Sequence, residues 1–263
     1  MSTRVMIPGS RFAAAADNLA RWRPYVSIAG NPYSFAHNPL IHRMRLATIS
    51  QSILEAMKSH KVIPDVVDDF VPSSLLSVDY AEGHHAALGN TLQYSEARDL
   101  PKFSITHINE QEAPTQSLLS PSQRFTIVMT DPDAPPTSDA HKSSHYANFV
   151  ISGIRVTSTD AVTEFDTGMP DSPETVAPAN GQVLLDYQLP ILDVPTRRHR
   201  YVFLLYREDG RTVPKTPPER HNWGFGSAVA GAREWASRYG LTLVGANFFY
   251  IHSELAMQPE QNN

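Results

Sequence analysis

The sequence predicts a mainly β domain with a few peripheral helices. Three observations carry that expectation. Proline supplies 21 of 263 residues, against a usual share of about 5%, which favours strands joined by stiff loops over long helices. Residues 124–130 alternate cleanly, with Phe125, Ile127 and Met129 on one side and Thr126, Val128 and Thr130 on the other. Residues 199–206 form a nearly continuous apolar run, the pattern of a central strand covered on both faces.

Composition narrows the function classes. An apolar fraction of 41% with 9% aromatic side chains is enough for a full core. A net charge of −5 without a basic stripe argues against nucleic acid as a main partner. The chain has no cysteine, so disulfides, thiolate zinc sites and cysteine nucleophiles are excluded. No Asn-x-Ser/Thr acceptor, secretory apolar stretch or bilayer-length apolar run is present, which points to a cytoplasmic protein without a transmembrane segment. The first 45 residues carry Arg4, Arg11, Arg21, Arg23, Arg43 and Arg45 against Asp17 alone. An organelle transit peptide is the alternative reading of that bias; a helix packed on the domain is the one adopted.

In chain order, residues 1–46 read as an extension, with a helix over 12–23 from the spacing of Phe12, Ala16, Leu19 and Trp22. Asn31-Pro32 and Asn38-Pro39 are expected to interrupt regular structure beyond that helix. Thr48 and Gln51 have capping-box spacing ahead of Ile49, Ile53, Ala56 and Met57, which predicts a helix over 49–59. Strands are expected at 75–80, 101–108, 124–130, 148–152 (closed by Gly153), 181–187, 199–206 and 241–250. The Ser/Thr/Pro/Asp-rich residues 157–180 read as an exposed excursion. Phe225, Val229, Ala232, Ala236 and Tyr239 predict one late helix, stopped by Gly240. The tail from 256 is polar. No repeat or linker divides residues 47–255, which read as one domain.

The chemistry-bearing residues cluster around Asp131-Pro132-Asp133-Ala134-Pro135. The prolines fix φ and bias the residues before them toward extended backbone, so the two carboxylates are expected to share a face. They either meet a ligand or accept backbone N–H groups in an Asx-type turn. His199 and Tyr201 lie two apart on a strand and share a face; a histidine there is either a proton-transfer group or a satisfied core residue. His141 and His145 have the spacing of a zinc pair on a helix, but the helical pattern is weak and no third ligand stands at a familiar spacing, so no metal is expected. Gly224-Phe225-Gly226 lacks the third glycine of a dinucleotide fingerprint, and no cofactor is expected.

Four segments together carry a family resemblance: Asp131 to Pro135, His199-Arg200-Tyr201 with the strand behind it, Asn222-Trp223-Gly224-Phe225-Gly226, and Asn247-Phe248-Phe249-Tyr250. In that order they resemble the phosphatidylethanolamine-binding protein (PEBP) family, and its fungal carboxypeptidase-inhibitor branch in particular. The resemblance runs from about residue 47 to 253. It implies a central antiparallel β-sandwich with peripheral helices and a small anion pocket at one end. Asp131, Pro135, His199 and Tyr201 match lining positions of that pocket. Two departures stand out. A family histidine falls on Asn148, an amide that cannot become cationic. A Gly-x-Gly-Pro-Pro loop falls on Leu189-Pro190-Ile191-Leu192-Asp193, and Arg197 and Arg198 replace small residues.

The expectation is therefore a PEBP-like protein that binds a small, partly apolar anion. Its site is drawn from Asp131, Asp133, Pro135, Tyr146, Asn148, Leu189, Asp193, Arg197, Arg198, His199 and Tyr201. The resemblance implies two further functions. One is inhibition of a serine carboxypeptidase through the N-terminal end of the chain. The other is a role beside a partner enzyme in fungal polyketide metabolism, such as coupling of maleic-anhydride units, with His199 and Asp131 as an acid–base pair.

Overall fold

Burial on both faces is what the apolar run at 199–206 demands, and the two sides of one large sheet supply it. The computed structural model describes residues 39–108, 122–134, 144–156, 175–176, 178–179, 181–189, 198–225 and 231–252. All of them fall within one compact unit. The elements are α1 (Pro39–Ser59), α2 (Val62–Asp65), β1 (Ser74–Asp79), β2 (Asn90–Gln93), α3 (Tyr94–Ala97), β3 (Lys102–His107), β4 (Arg124–Ala134), β5 (Ser144–Val156), β6 (Thr175–Val176), β7 (Pro178–Ala179), β8 (Gln182–Leu185), β9 (His199–Arg207), α4 (Ala232–Arg238) and β10 (Thr242–His252).

The larger sheet runs β2-β10-β9-β4-β5-β7, with β8 also paired to β5; the smaller runs β1-β3-β6. All pairings are antiparallel except the parallel pair of β10 with β2. Strand β9 sits between β10 and β4, and its residues 201–206 are all buried. Its alternation sorts two cores. Tyr201, Phe203 and Leu205 join Phe125, Ile127, Met129 and the small-sheet residues Leu76, Val78 and Ile105 between the sheets. Val202, Leu204 and Tyr206 join Ile53, Met57, Val62, Trp223 and Trp235 beneath the helices.

Asn247 on β10 bolts the sheets together. Its Nδ2 donates to the carbonyls of Leu76 and Ala86, and its Oδ1 accepts from the N–H groups of Leu88 and Phe248. Two residues earlier, Gly245 lies so close to the Ser74 carbonyl that a Cβ would meet it at 2.6 Å. β10 can therefore press against β1 only with glycine at that position.

Several expectations are corrected. The helix does not start at a Thr48 cap. It begins at Pro39, which fits the first helical position because the N–H it lacks has no partner there. Thr48 lies inside it, where its carbonyl accepts from Ser52 Oγ, and Gln51 bonds Glu55 one turn on. Strand β4 does not stop at Thr130 but runs through the acidic segment to Ala134. Strand β5 passes through Gly153, which takes φ +71° inside the strand. The excursion at 157–180 contributes β6 and β7 to the sheets. Strand β2 and helix α3 were not foreseen. The late helix is described from Ala232 and stops before Gly240, which takes φ +63°. The helix expected over 12–23 and the tail from 256 lie outside the described residues.

The bolt at Asn247 makes a measurable demand. Replacing Asn247 by Ala orphans buried donors and acceptors on both sheets, and the expected loss is about 3 kcal/mol. A urea midpoint unchanged from the parent would show that the four bonds carry no net stability.

Candidate functional site

At one end of the large sheet, β4 and β9 present their polar residues side by side. Asp131 and His199 both face the inter-sheet core, as the alternation of β4 and β9 requires. The His199 Nδ1 lies 2.8 Å from Asp131 Oδ2, with Asp131 fully buried and His199 5% exposed. The other carboxylate oxygen, Oδ1, accepts the Asp133 N–H at 2.8 Å. This bond closes an Asx-type turn at a point where the pairing of β4 with β5 slips between Asp131 and Ala134. The slip turns Asp133 to the other face.

Asp133 and Asp131 therefore do not share a face, contrary to the spacing rule for a regular strand. The Asp133 carboxylate is gripped by Arg200, with Nε to Oδ2 at 2.8 Å and Nη2 to Oδ1 at 2.7 Å, and Oδ2 also accepts the Arg200 N–H. Arg200 Nη1 donates to the carbonyls of His60 and Lys61 and to Asp65 Oδ2. His199 and Arg200, adjacent on β9, thus serve opposite faces. One completes a polar pair between the sheets, and the other ties the sheet to the α1–α2 junction.

Burial governs the local electrostatics. It pushes the Asp131 carboxyl above the ordinary carboxylate range, while the His199 hydrogen bond and charge and the Asp133 N–H pull it back. Burial also raises the Tyr201 hydroxyl, and the Asp131 carboxylate adds to the effect, so Tyr201 stays a neutral donor. For Arg200, burial opposes the charge, but Asp133 and Asp65 more than offset it and the net shift is upward.

Two residues on from His199, Tyr201 is stacked on Phe249 at 5.5 Å and its hydroxyl, buried in the inter-sheet core, has no hydrogen-bond partner among the described residues. Asn148 is fully buried. Its Nδ2 donates to the Gln188 carbonyl at 2.9 Å, whereas its Oδ1 has no partner among the described residues. Tyr146 donates to Gln188 Oε1 at 3.3 Å and meets His221 edge-on. Leu189 is buried in the inter-sheet core, and its carbonyl accepts from the Tyr94 hydroxyl. Arg198 is engaged at the sheet edge: Nη2 donates to Thr91 Oγ1, and the guanidinium lies 4.2 Å over the Tyr250 ring. Pro135, Asp193 and Arg197 lie outside the described residues.

Sequence reasoning missed the supporting residues. Thr130 donates to the Tyr146 carbonyl and accepts from Trp223 Nε1, so the indole of the Asn222-Trp223-Gly224 segment backs the acidic strand. Arg220 Nη1 donates to the carbonyls of Ala147 and Asn148, and its Nη2 to that of Asp186. Arg200 stood in plain view beside His199, and alternation was the signal that could have assigned it to the opposite face. The other partners come from remote segments and left no local signal.

The architecture is a two-sheet β-sandwich whose central strands end in a buried His–Asp pair with an unpartnered tyrosine hydroxyl close by. Residues 80–249 match the family model described as phosphatidylethanolamine-binding protein, and the chain belongs to that family. It is 32% identical over 220 residues to Carboxypeptidase Y inhibitor of Saccharomyces cerevisiae, an alignment covering 78% of this chain and 97% of the relative. The solved structure of carboxypeptidase Y inhibitor complexed with the cognate proteinase superposes with a TM-score of 0.65 at 30% identity, covering 78% and 97% of the two chains. The phosphatidylethanolamine-binding protein from Plasmodium vivax, at 18% identity and a TM-score of 0.54 over 76% and 97%, shares the fold.

His145, at the start of β5, gives the site a pH signature. It is buried, its Nδ1 has no partner, and burial lowers its pKa; the nearby charges of Glu234 and Asp133 act against that effect, and those of Arg200 and Arg233 act with it. A lowered folded-state value means that the unfolded chain takes up the proton first. The contribution to stability is complete above about pH 6.5 and declines as pH falls below it. Urea unfolding at pH 7.5 and 5.5 is expected to show a smaller loss for His145→Leu than for the parent; equal losses would remove His145 from the cause.

Proposed function

We propose that the pocket beside His199 and Asp131 binds a small, partly apolar anion. The observation that carries this reading is the fully buried Asp131 carboxylate with His199 Nδ1 at 2.8 Å, next to a Tyr201 hydroxyl without a partner. With Nδ1 directed at Asp131, Nε2 is the nitrogen left to meet a ligand. A buried hydroxyl without a partner costs about 1–3 kcal/mol, and a ligand acceptor placed against Tyr201 removes that cost. The orphaned Asn148 Oδ1 supplies an acceptor for a ligand donor, and Leu189 lends an apolar wall. Tyr146 and Arg198 belong to the rim in this reading. Asp133 sets the shape of the site through Arg200.

Titration with inorganic phosphate, succinate and longer-chain dicarboxylates, followed by calorimetry and melting temperature, tests the proposal. Binding stabilises the fold by mass action. His199→Gln and Tyr201→Phe are expected to weaken binding by about tenfold each. A dissociation constant unmoved by both substitutions would sink the reading. The acid–base role in polyketide coupling rests on the same His199–Asp131 pair. Loss of pathway output with His199→Gln in the native host supports it, and unchanged output removes it.

A second reading, inhibition of a serine carboxypeptidase, is favoured by the 32% identity to Carboxypeptidase Y inhibitor across nearly its whole length. The expected outcome is inhibition of carboxypeptidase Y by the intact chain and its loss when residues 1–38 are removed. No inhibition by either form would discard this reading and leave the pocket proposal standing.

A further inference from the structure

The opposite end of the large sheet holds a second cleft, seven residues along β4 from Asp131, or roughly 23 Å. Its volume is about 500 Å³, within the size range of sites that hold small organic molecules. Glu208, immediately after β9, lines it together with Ser152 and Gly153. Glu208 Oε1 accepts three hydrogen bonds, from Thr126 Oγ1 at 2.7 Å, Ser152 Oγ at 3.0 Å and the Gly153 N–H at 2.8 Å. None of the three engages Oε2. The carboxylate is therefore held rigidly by one oxygen in a setting where Glu208 is 9% exposed.

Above it stand two arginines in direct register, Arg124 on β4 opposite Arg155 on β5. Like charges directly opposite on neighbouring strands repel. Among the described residues neither guanidinium makes an ion pair, not even with the Glu208 carboxylate in the same cleft. Val213, 74% exposed, and Pro214 supply an apolar wall. Two adjacent guanidinium groups are matched by the oxygens of a carboxylate or phosphate. A fixed carboxylate next to them is matched by a hydroxyl or ammonium group.

We propose that this cleft is a second ligand site, independent of the His199–Asp131 pocket. It takes a small organic anion, a carboxylate or phosphate ester, that also carries a hydrogen-bond donor. Arg124 and Arg155 hold the anionic group, Glu208 receives the donor, and Val213 and Pro214 cover the carbon skeleton.

Calorimetric titration of the full chain at low ionic strength tests this with four probes: malate, O-phosphoserine, inorganic phosphate and valerate. Malate or O-phosphoserine is expected to bind, with valerate and inorganic phosphate weaker by about threefold or more, because valerate lacks the donor and inorganic phosphate the carbon skeleton. The double variant Arg124→Gln/Arg155→Gln changes exposed side chains and should fold. It is expected to weaken binding by about tenfold and, without ligand, to melt a degree or two above the parent because a repulsion is gone. With the same probes, His199→Gln is expected to remove only the binding that belongs to the first pocket and to leave the event lost with Arg124→Gln/Arg155→Gln in place. Failure of all four probes to bind at millimolar concentration overturns the proposal. So does affinity unmoved by the double variant, loss of that same event with His199→Gln, or a lower melting temperature for the ligand-free double variant, which would make the arginines structural.

Discussion

Arg200 fixes the geometry of the end of the sheet that carries the candidate pocket. A guanidinium whose side chain is 12% exposed needs partners for its charge and its donors, and it finds them in Asp133, Asp65 and two carbonyls at the α1–α2 junction. That requirement reaches back along both strands. It holds Asp133 on the helix side, which is possible only because the Asx-type turn at Asp131 shifts the strand by one position. The same turn leaves Asp131 on the inter-sheet side, where His199 meets it. Helix attachment, strand irregularity and polar pair are consequences of one ion cluster.

The parts of this fold legible in the sequence are those written in a period of two. Strands β4, β9 and β10 alternate or run apolar without interruption, and the shared face of His199 and Tyr201 came directly from that pattern. The same rule failed at Asp133, because a bulge depends on what the partner strand does and a local pattern carries no trace of that. Helix α1 was read too short for a related reason: Asn38-Pro39 reads as a breaker unless one knows that the helix opens on the proline. The family resemblance singled out Asn148 as unusual, but its partner, the Gln188 carbonyl, lies 40 residues away. Thr130, Trp223 and Arg220 escaped notice because each acts across the sheet on a segment remote in sequence.

The two ends of the large sheet differ in electrostatic design. At the start of β9 a carboxylate is matched by a histidine, and the groups left over are neutral: a tyrosine hydroxyl and an amide oxygen. At its end a carboxylate is held by neutral donors, and the groups left over are two cations. The β9 backbone spans both, so the same strand that supplies the inter-sheet core reaches the two candidate sites while keeping their charges well beyond a Debye length at physiological salt.

The adjacency of His199 and Arg200 bears on how this region can diverge. Each half of the His199-Arg200 pair is matched to one half of Asp131-x-Asp133, across opposite faces of the same two strands. An insertion or deletion of one residue in β9 would exchange both partners at once, placing a histidine against the helix clamp and an arginine in the inter-sheet core. A point change at any of the four positions removes its neighbour's partner across the strands. The pairing therefore favours keeping or replacing the four residues together.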